Sequence, residues 1–245
     1  MRPVTDPLAP LLDLPGVHDA VARARDAVAE VHRHPTNRRG WPATAAEASV
    51  RAARASAVLD GGPAEIPEDG EVSDPVLAGS LRVAEALGPL LPTWERAPMQ
   101  ALARLHVLAA ADLVDKDLLG RPRAGLGVTS RLDLLAGFIA GGTKVPGPVL
   151  AAIVHGELLA LTPFGTADGV VARAAARLTL IGTGLDPKGL AVPEVAFLRD
   201  ANRYRDTAVG FASGTSEGVT EWIVYSCQAL EAGAREATSI AEAAG

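Results

Sequence analysis

A single cysteine, Cys227, stands in the whole chain of 245 residues, which excludes an intrachain disulfide and a cysteine-built metal cluster. Aromatic residues make up only 4%, against 48% hydrophobic residues in which alanine is abundant. Strands favour β-branched and aromatic side chains, so this balance argues for packed helices and against a β-sandwich. Long apolar runs are missing too. The longest, Val149 to Leu161, is interrupted by His155 and Glu157 and is too short to span a bilayer. The first residues carry Asp6, Asp13 and several prolines, unlike a signal peptide. The expectation is a cytoplasmic protein without membrane contact. A formal net charge of −6 argues against a nucleic-acid backbone as partner. No Gly-x-Gly-x-x-Gly follows a strand-like run, which leaves a dinucleotide oxidoreductase unsupported. There is no internal repeat and no low-complexity segment long enough to indicate disorder.

What is present is a series of amphipathic stretches with stop signals between them. Val17, Val21, Ala24, Val28 and Val31 line one side of a helix over 16–33. His32 and His34 lie at its end without a third metal ligand in sight. Residues 35–42 read as a linker containing Trp41. A second helix is expected over 44–59, with Thr44 as N-cap and Glu47 at the spacing of a capping box. It ends in Ser56-Ala57-Val58-Leu59-Asp60-Gly61. An acidic loop from Gly61 to Pro75 follows, then a helix over 76–91 closed by Gly88-Pro89 and Pro92. Further helices are expected over 98–114 (with Pro98 at its first position), 131–139, 195–211 and 219–238.

The chain is organised around the stretch from Leu161 to Arg173. Leu150, Ile153, Val154, Leu158 and Leu161 recur at helical spacing before it. Val171, Ala174, Ala175, Leu178 and Ile181 do so after it, until Gly182, Gly184 and Pro187 stop the second helix. Both stripes are too apolar for a surface. A loop delivered onto a helix N-terminus is a natural anion site, because free N–H groups and the helix dipole point there.

That loop resembles the signature of Fic proteins, which transfer AMP or a related phosphate group to a protein hydroxyl. The family pattern reads His-Pro-Phe-x-Asp/Glu-Gly-Asn-Gly-Arg-x-x-Arg, and the matching positions run from Thr162 to Arg173. Pro163, Phe164, Gly169 and Arg173 agree with it. Thr162 stands at the catalytic histidine, Thr166 at the metal-binding acid, Ala167 at a glycine, Asp168 at the asparagine and Val170 at the first arginine. Ser56, Asp60 and Gly61 resemble the family's inhibitory motif, Ser/Thr-x-x-x-Glu-Gly/Asn, with aspartate for glutamate. In the family that acid pairs with the second arginine and obstructs nucleotide binding.

Weaker echoes surround these motifs. Leu105-His106-Val107-Leu108 is similar to a Leu-His-Arg-Leu segment, which makes His106 a structural histidine. Gly120-Arg121-Pro122-Arg123 resembles the Gly-x-x-Arg that precedes the flap, the hairpin that holds a target by strand addition. Only Ala124 to Ser130 then remain before the next helix, so the flap is expected to be trimmed. Arg203-Tyr204-Arg205 and Gly218 to Trp222 match two further segments, with Trp222, Tyr225 and Leu230 as packing residues.

The resemblance implies an all-α, Fic-like helical domain with an N-terminal inhibitory-type helix. The expected division is 1–43 as N-terminal helical extension and linker, 44–238 as the domain, and 239–245 as a C-terminal tail. It also implies a lost chemistry. A threonine at 162 cannot take a proton as the histidine does, a step worth about 10²–10⁴-fold in rate. Thr166 is a poor substitute for a metal-binding carboxylate, and Val170 brings no charge to a phosphate. His155, two turns upstream, is a poor replacement base and matches a structural histidine. Asp168 would repel a phosphate and is suited to N-cap the helix beginning near Gly169. Gly165, Gly169 and Arg173 remain as the anion loop, with Arg173 free to pair with Asp60. Two function classes follow. One is a pseudoenzyme without metal or cofactor, a regulatory or binding protein whose fold is kept for a protein partner or for a ligand in the old cleft, with nucleotide binding weak or absent. The other is a nucleotidyl- or phosphotransferase using rearranged residues, which titration with ATP and magnesium separates from the first.

Overall fold

Eleven α-helices, with short 3-10 or π turns at Ala9–Asp13, Lys116–Leu118 and Phe138–Gly142, make up the regular structure among the described residues of the computed structural model, 6–125 and 127–245. Residues 1–5 and Leu126, the latter inside the segment expected to be a trimmed flap, lie outside the described residues. The helices are α1 (Val17–Arg33), α2 (Pro35–Arg39), α3 (Trp41–Leu59), α4 (Pro75–Arg96), α5 (Pro98–Ala110) and α6 (Val128–Gly137). They continue as α7 (Gly147–Leu161), α8 (Asp168–Gly182), α9 (Pro193–Arg199), α10 (Ala201–Ala212) and α11 (Ser216–Ala243). No strand occurs among the described residues.

The pair α7 and α8 sits at the centre. Val149, Val154 and Leu158 of α7 and Val171, Ala175 and Leu178 of α8 are wholly buried. Each such Leu or Val contributes about 1.5–3 kcal/mol on leaving water, which is why the two apolar stripes find each other. Helices α3, α4 and α5 cover α8, α10 and α11 cover α7, and α1 lies along α11. Trp222 of α11 reaches the pair directly, donating its indole N–H to the Ala152 carbonyl at 2.7 Å. No described helix is long and apolar enough to cross a membrane.

Several helix ends differ from the sequence expectation, and in each case packing overrides local signals. Residues 35–39 are a short helix, α2, instead of linker. Its Asn37, fully buried, donates to the Val31 carbonyl and accepts from the Thr44 hydroxyl at 2.7 Å. Thr44 is therefore a buried residue inside α3, which begins at Trp41; Glu47 pairs with Arg51 instead of closing a capping box. Helix α4 passes through Pro89 and Pro92 to Arg96. Both prolines lie on its exposed side, while the buried Trp94 anchors the last turn. Helix α5 stops at Ala110, short of 114. Asp200 divides the expected 195–211 helix into α9 and α10 and accepts the Arg203 N–H. Thr215 caps α11, which continues to Ala243 because Ile240 and Ala241 are buried, so 239–243 is helix and no tail.

Candidate functional site

Between α7 and α8 the backbone turns left-handed three times. Thr162 has φ 39°, Gly165 φ 78° and Ala167 φ 55°. A β-branched residue at positive φ is strained by about 1–3 kcal/mol and persists only where its surroundings over-determine it. Arg123 supplies that constraint. Its guanidinium donates to the Thr162 carbonyl at 2.6 and 3.0 Å and to the Thr162 hydroxyl at 2.7 Å. Its own N–H donates to the Pro163 carbonyl at 2.7 Å. Glycine is favoured at 165 by its φ, and a Cβ there would sit tightly, 3.0 Å from Arg123 Cδ. Phe164 turns inward and stacks on His106, ring centroids 4.2 Å apart. His106 Nδ1 accepts the Gly120 N–H, and burial pushes its pKa down. It is a packing residue.

Two carboxylates take three N–H groups of this loop and helix start, those of Phe164, Gly165 and Val170. Asp168 was expected to N-cap α8; instead it is the first residue of α8 and turns back. Its Oδ1 accepts the Phe164 N–H at 2.9 Å and its Oδ2 the Gly165 N–H at 2.7 Å. The left-handed Ala167 at the cap position aims it that way. Burial raises the Asp168 pKa against those two bonds and Arg123, and Asp60 raises it further. Asp60 comes from the end of α3 and covers the helix start itself. Its Oδ2 accepts the Val170 N–H at 3.1 Å, and its Oδ1 accepts from Arg173 Nη2 at 2.7 Å.

Gly169 is what permits the approach, since a Cβ there would lie 2.5 Å from Asp60 Oδ1 and 2.7 Å from Oδ2. Ser56, one turn earlier on α3, accepts from Arg173 Nε at 2.8 Å through its hydroxyl and from Nη2 at 3.0 Å through its carbonyl. Gly61, at φ 89°, ends the helix so that Asp60 faces α8. The structure thus brings Ser56, Asp60, Gly169 and Arg173 together.

Below the loop the polar groups continue inward. Arg173, 3% exposed, also donates to the Tyr204 hydroxyl at 3.3 Å, which hydrogen-bonds His155 Nε2 at 2.8 Å. Burial pulls the Arg173 pKa down, but Tyr204 and Asp60 outweigh it and hold the group charged. His155 is pushed well below the ordinary histidine range by burial and by Arg173. It is neutral, interior and closed to a substrate. Thr162 is exposed, Thr166 half-buried and Val170 buried in the core.

Sequence reasoning missed two features of this region. The clamp by Arg123 carries no sequence signal of its own, because Gly120-Arg121-Pro122-Arg123 resembles only the segment that precedes the flap. The buried ion pair of Arg177 with Glu194, 3.3 Å apart, was signalled by an arginine one turn after Arg173 inside an apolar stripe. Among the described residues no cluster of His, Cys, Asp and Glu is placed to hold a metal ion.

No protein-family model matches the chain. No curated protein sequence matches it either. Among solved structures it is similar to the 2.70 Å crystal structure of a Fic family protein from Desulfovibrio desulfuricans G20, with a TM-score of 0.60 and 21% identity. The match covers 92% of this chain and 74% of that one. The chain is an all-α protein with a Fic-like fold.

Proposed function

We propose that this chain is a catalytically degenerate Fic-fold protein, a pseudo-AMP-transferase that acts by binding another protein. The observation that carries the reading is the filling of the anion loop from within. The N–H groups of Phe164, Gly165 and Val170 are donors that an incoming phosphate would need, and Asp168 and Asp60 hold all three. A third negative group placed beside them meets repulsion: like charges 4 Å apart repel by about 4 kcal/mol at an effective dielectric near 20. Arg173, the cation the family resemblance retains, is neutralised by Asp60, and Arg123 is engaged by the carbonyl and hydroxyl of Thr162. Thr162, Thr166 and Val170 provide neither base, metal ligand nor positive charge at the positions where the family resemblance expects them.

The fold is a packed scaffold with an outer surface, and on that surface we place the binding of a protein partner. Isothermal titration with ATP and magnesium tests the first half of the reading: no heat of binding is expected at millimolar nucleotide. Saturable binding would favour the alternative, a nucleotidyl- or phosphotransferase with rearranged residues. Capture of a protein from the native host, retained through washing at 0.5 M salt, is the expected positive result for the second half.

A further inference from the structure

The core of the protein contains two cavities on either side of Arg177, about 30 and 20 Å³ in volume. The larger lies between α7, α8, α9 and α11, with Ser226, His155 and Glu194 in its wall. The smaller lies between α3, α4 and α8, with Ser80, Ser56 and Glu194 in its wall. Arg173 and Arg177 border both.

Three polar atoms here are buried without a protein partner: Ser80 Oγ, Ser226 Oγ and Arg177 Nε. The two serines also lack the local bond open to them. Hydroxyls inside helices can donate back to the carbonyl four residues earlier. Thr179 does so to Ala175, Thr207 to Arg203, Thr220 to Ser216 and Thr238 to Ala234. Ser80 in α4 and Ser226 in α11 do not, and each lines a cavity instead. Arg177 is similarly incomplete. Nη1 donates to the Ala191 carbonyl and Glu194, and Nη2 to the Gly189 carbonyl, while Nε–H faces no acceptor. An unpaired N–H on a buried guanidinium is too costly to leave unmet.

A water site needs about 10–15 Å³ and two to four polar partners, and both cavities meet these conditions. We infer that the protein holds two structural waters, one bonded to Ser80 and one to Ser226, at least one of which accepts the Arg177 Nε–H. Each water has acceptors and donors at hand, since Glu194 accepts and the guanidinium donates. The pair joins α4 and α11 to α8 through solvent that belongs to the fold. This hydration is independent of whether the loop above binds a nucleotide.

Water oxygen-17 relaxation dispersion on the whole protein tests the inference, with Ser80→Ala, Ser226→Ala and the double variant beside it. Alanine favours the helix, and an unchanged far-ultraviolet spectrum verifies each fold. The wild type is expected to show waters that reside longer than the molecule tumbles. Each single variant is expected to lose about one water equivalent of dispersion amplitude, and the double variant about two. A single variant with undiminished amplitude overturns the site it probes. A wild type with no dispersion overturns both. A crystal structure with density within hydrogen-bond reach of Ser80 Oγ and Ser226 Oγ is the expected independent result, and bare hydroxyls there would contradict it.

Discussion

Gly169 and Asp60 are in a contact that only glycine allows. A Cβ at 169 would lie 2.5 Å from one carboxylate oxygen of Asp60, inside any real contact distance. On helix propensity alone Gly169→Ala should stabilise the protein by about 1 kcal/mol. The contact reverses the sign. Displacing Asp60 from the Val170 N–H and from Arg173 is expected to cost about 2–4 kcal/mol, read as a lower urea midpoint at unchanged slope. A variant more stable than wild type would contradict the contact.

The ion pair itself is open to a double-mutant cycle. Arg173 is 3% exposed and Asp60 22%, so the pair is shielded from solvent on the arginine side only. Arg173→Ala is expected to cost about 3–5 kcal/mol, since it leaves Asp60, Ser56 and Tyr204 without their donor. Asp60→Ala should cost less, because water reaches the aspartate end. A coupling of about 1–3 kcal/mol between the two is expected from urea unfolding, and strict additivity would reduce Ser56–Gly61 to an ordinary helix end.

Arg123→Ala removes three donations to Thr162 and is expected to cost about 1–3 kcal/mol. The loss should be local. The amides of Thr162 and of residues 164–167 are expected to exchange faster with deuterium, while those of α8 keep their protection. Arg123→Lys should not restore the wild-type rate, because a single ammonium cannot reproduce the planar fork. Full protection with lysine would show that charge alone holds the loop.

Asp168 gives a pH dependence of defined sign. Its folded pKa is raised above the ordinary 3.8, mainly by burial. The folded state therefore holds this proton more tightly than the unfolded state does. The contribution is fully present below pH 3.8 and is lost as pH rises through the folded value. Unfolding free energies of wild type and Asp168→Asn, compared from about pH 3.5 to about pH 6.5, isolate the group. The difference, wild type minus variant, is expected to fall as pH rises. A rise would mean that the two N–H bonds outweigh burial.

Most of the fold was legible in the sequence because burial leaves a period of 3.6 residues. The central pair was readable from Leu150 to Ile181 without any tertiary information. Helix ends were less so. Trp94 carries α4 past two prolines, and Ile240 carries α11 past the expected tail; in both cases a buried side chain outweighs the local stop signal. At the site, Asp60 and Arg173 were visible through their motifs. The direction of Asp168 was not. It depends on a left-handed Ala167, and alanine, unlike glycine, advertises no such conformation.

On the function proposed, the loop does not support group transfer. The most direct measurement is incubation of the purified protein with α-labelled ATP, magnesium or manganese, and proteins of its host. No label should enter the protein or any host protein, at any time point. Covalent label that appears in the wild type and disappears in Thr162→Ala would contradict the account and establish an active transferase.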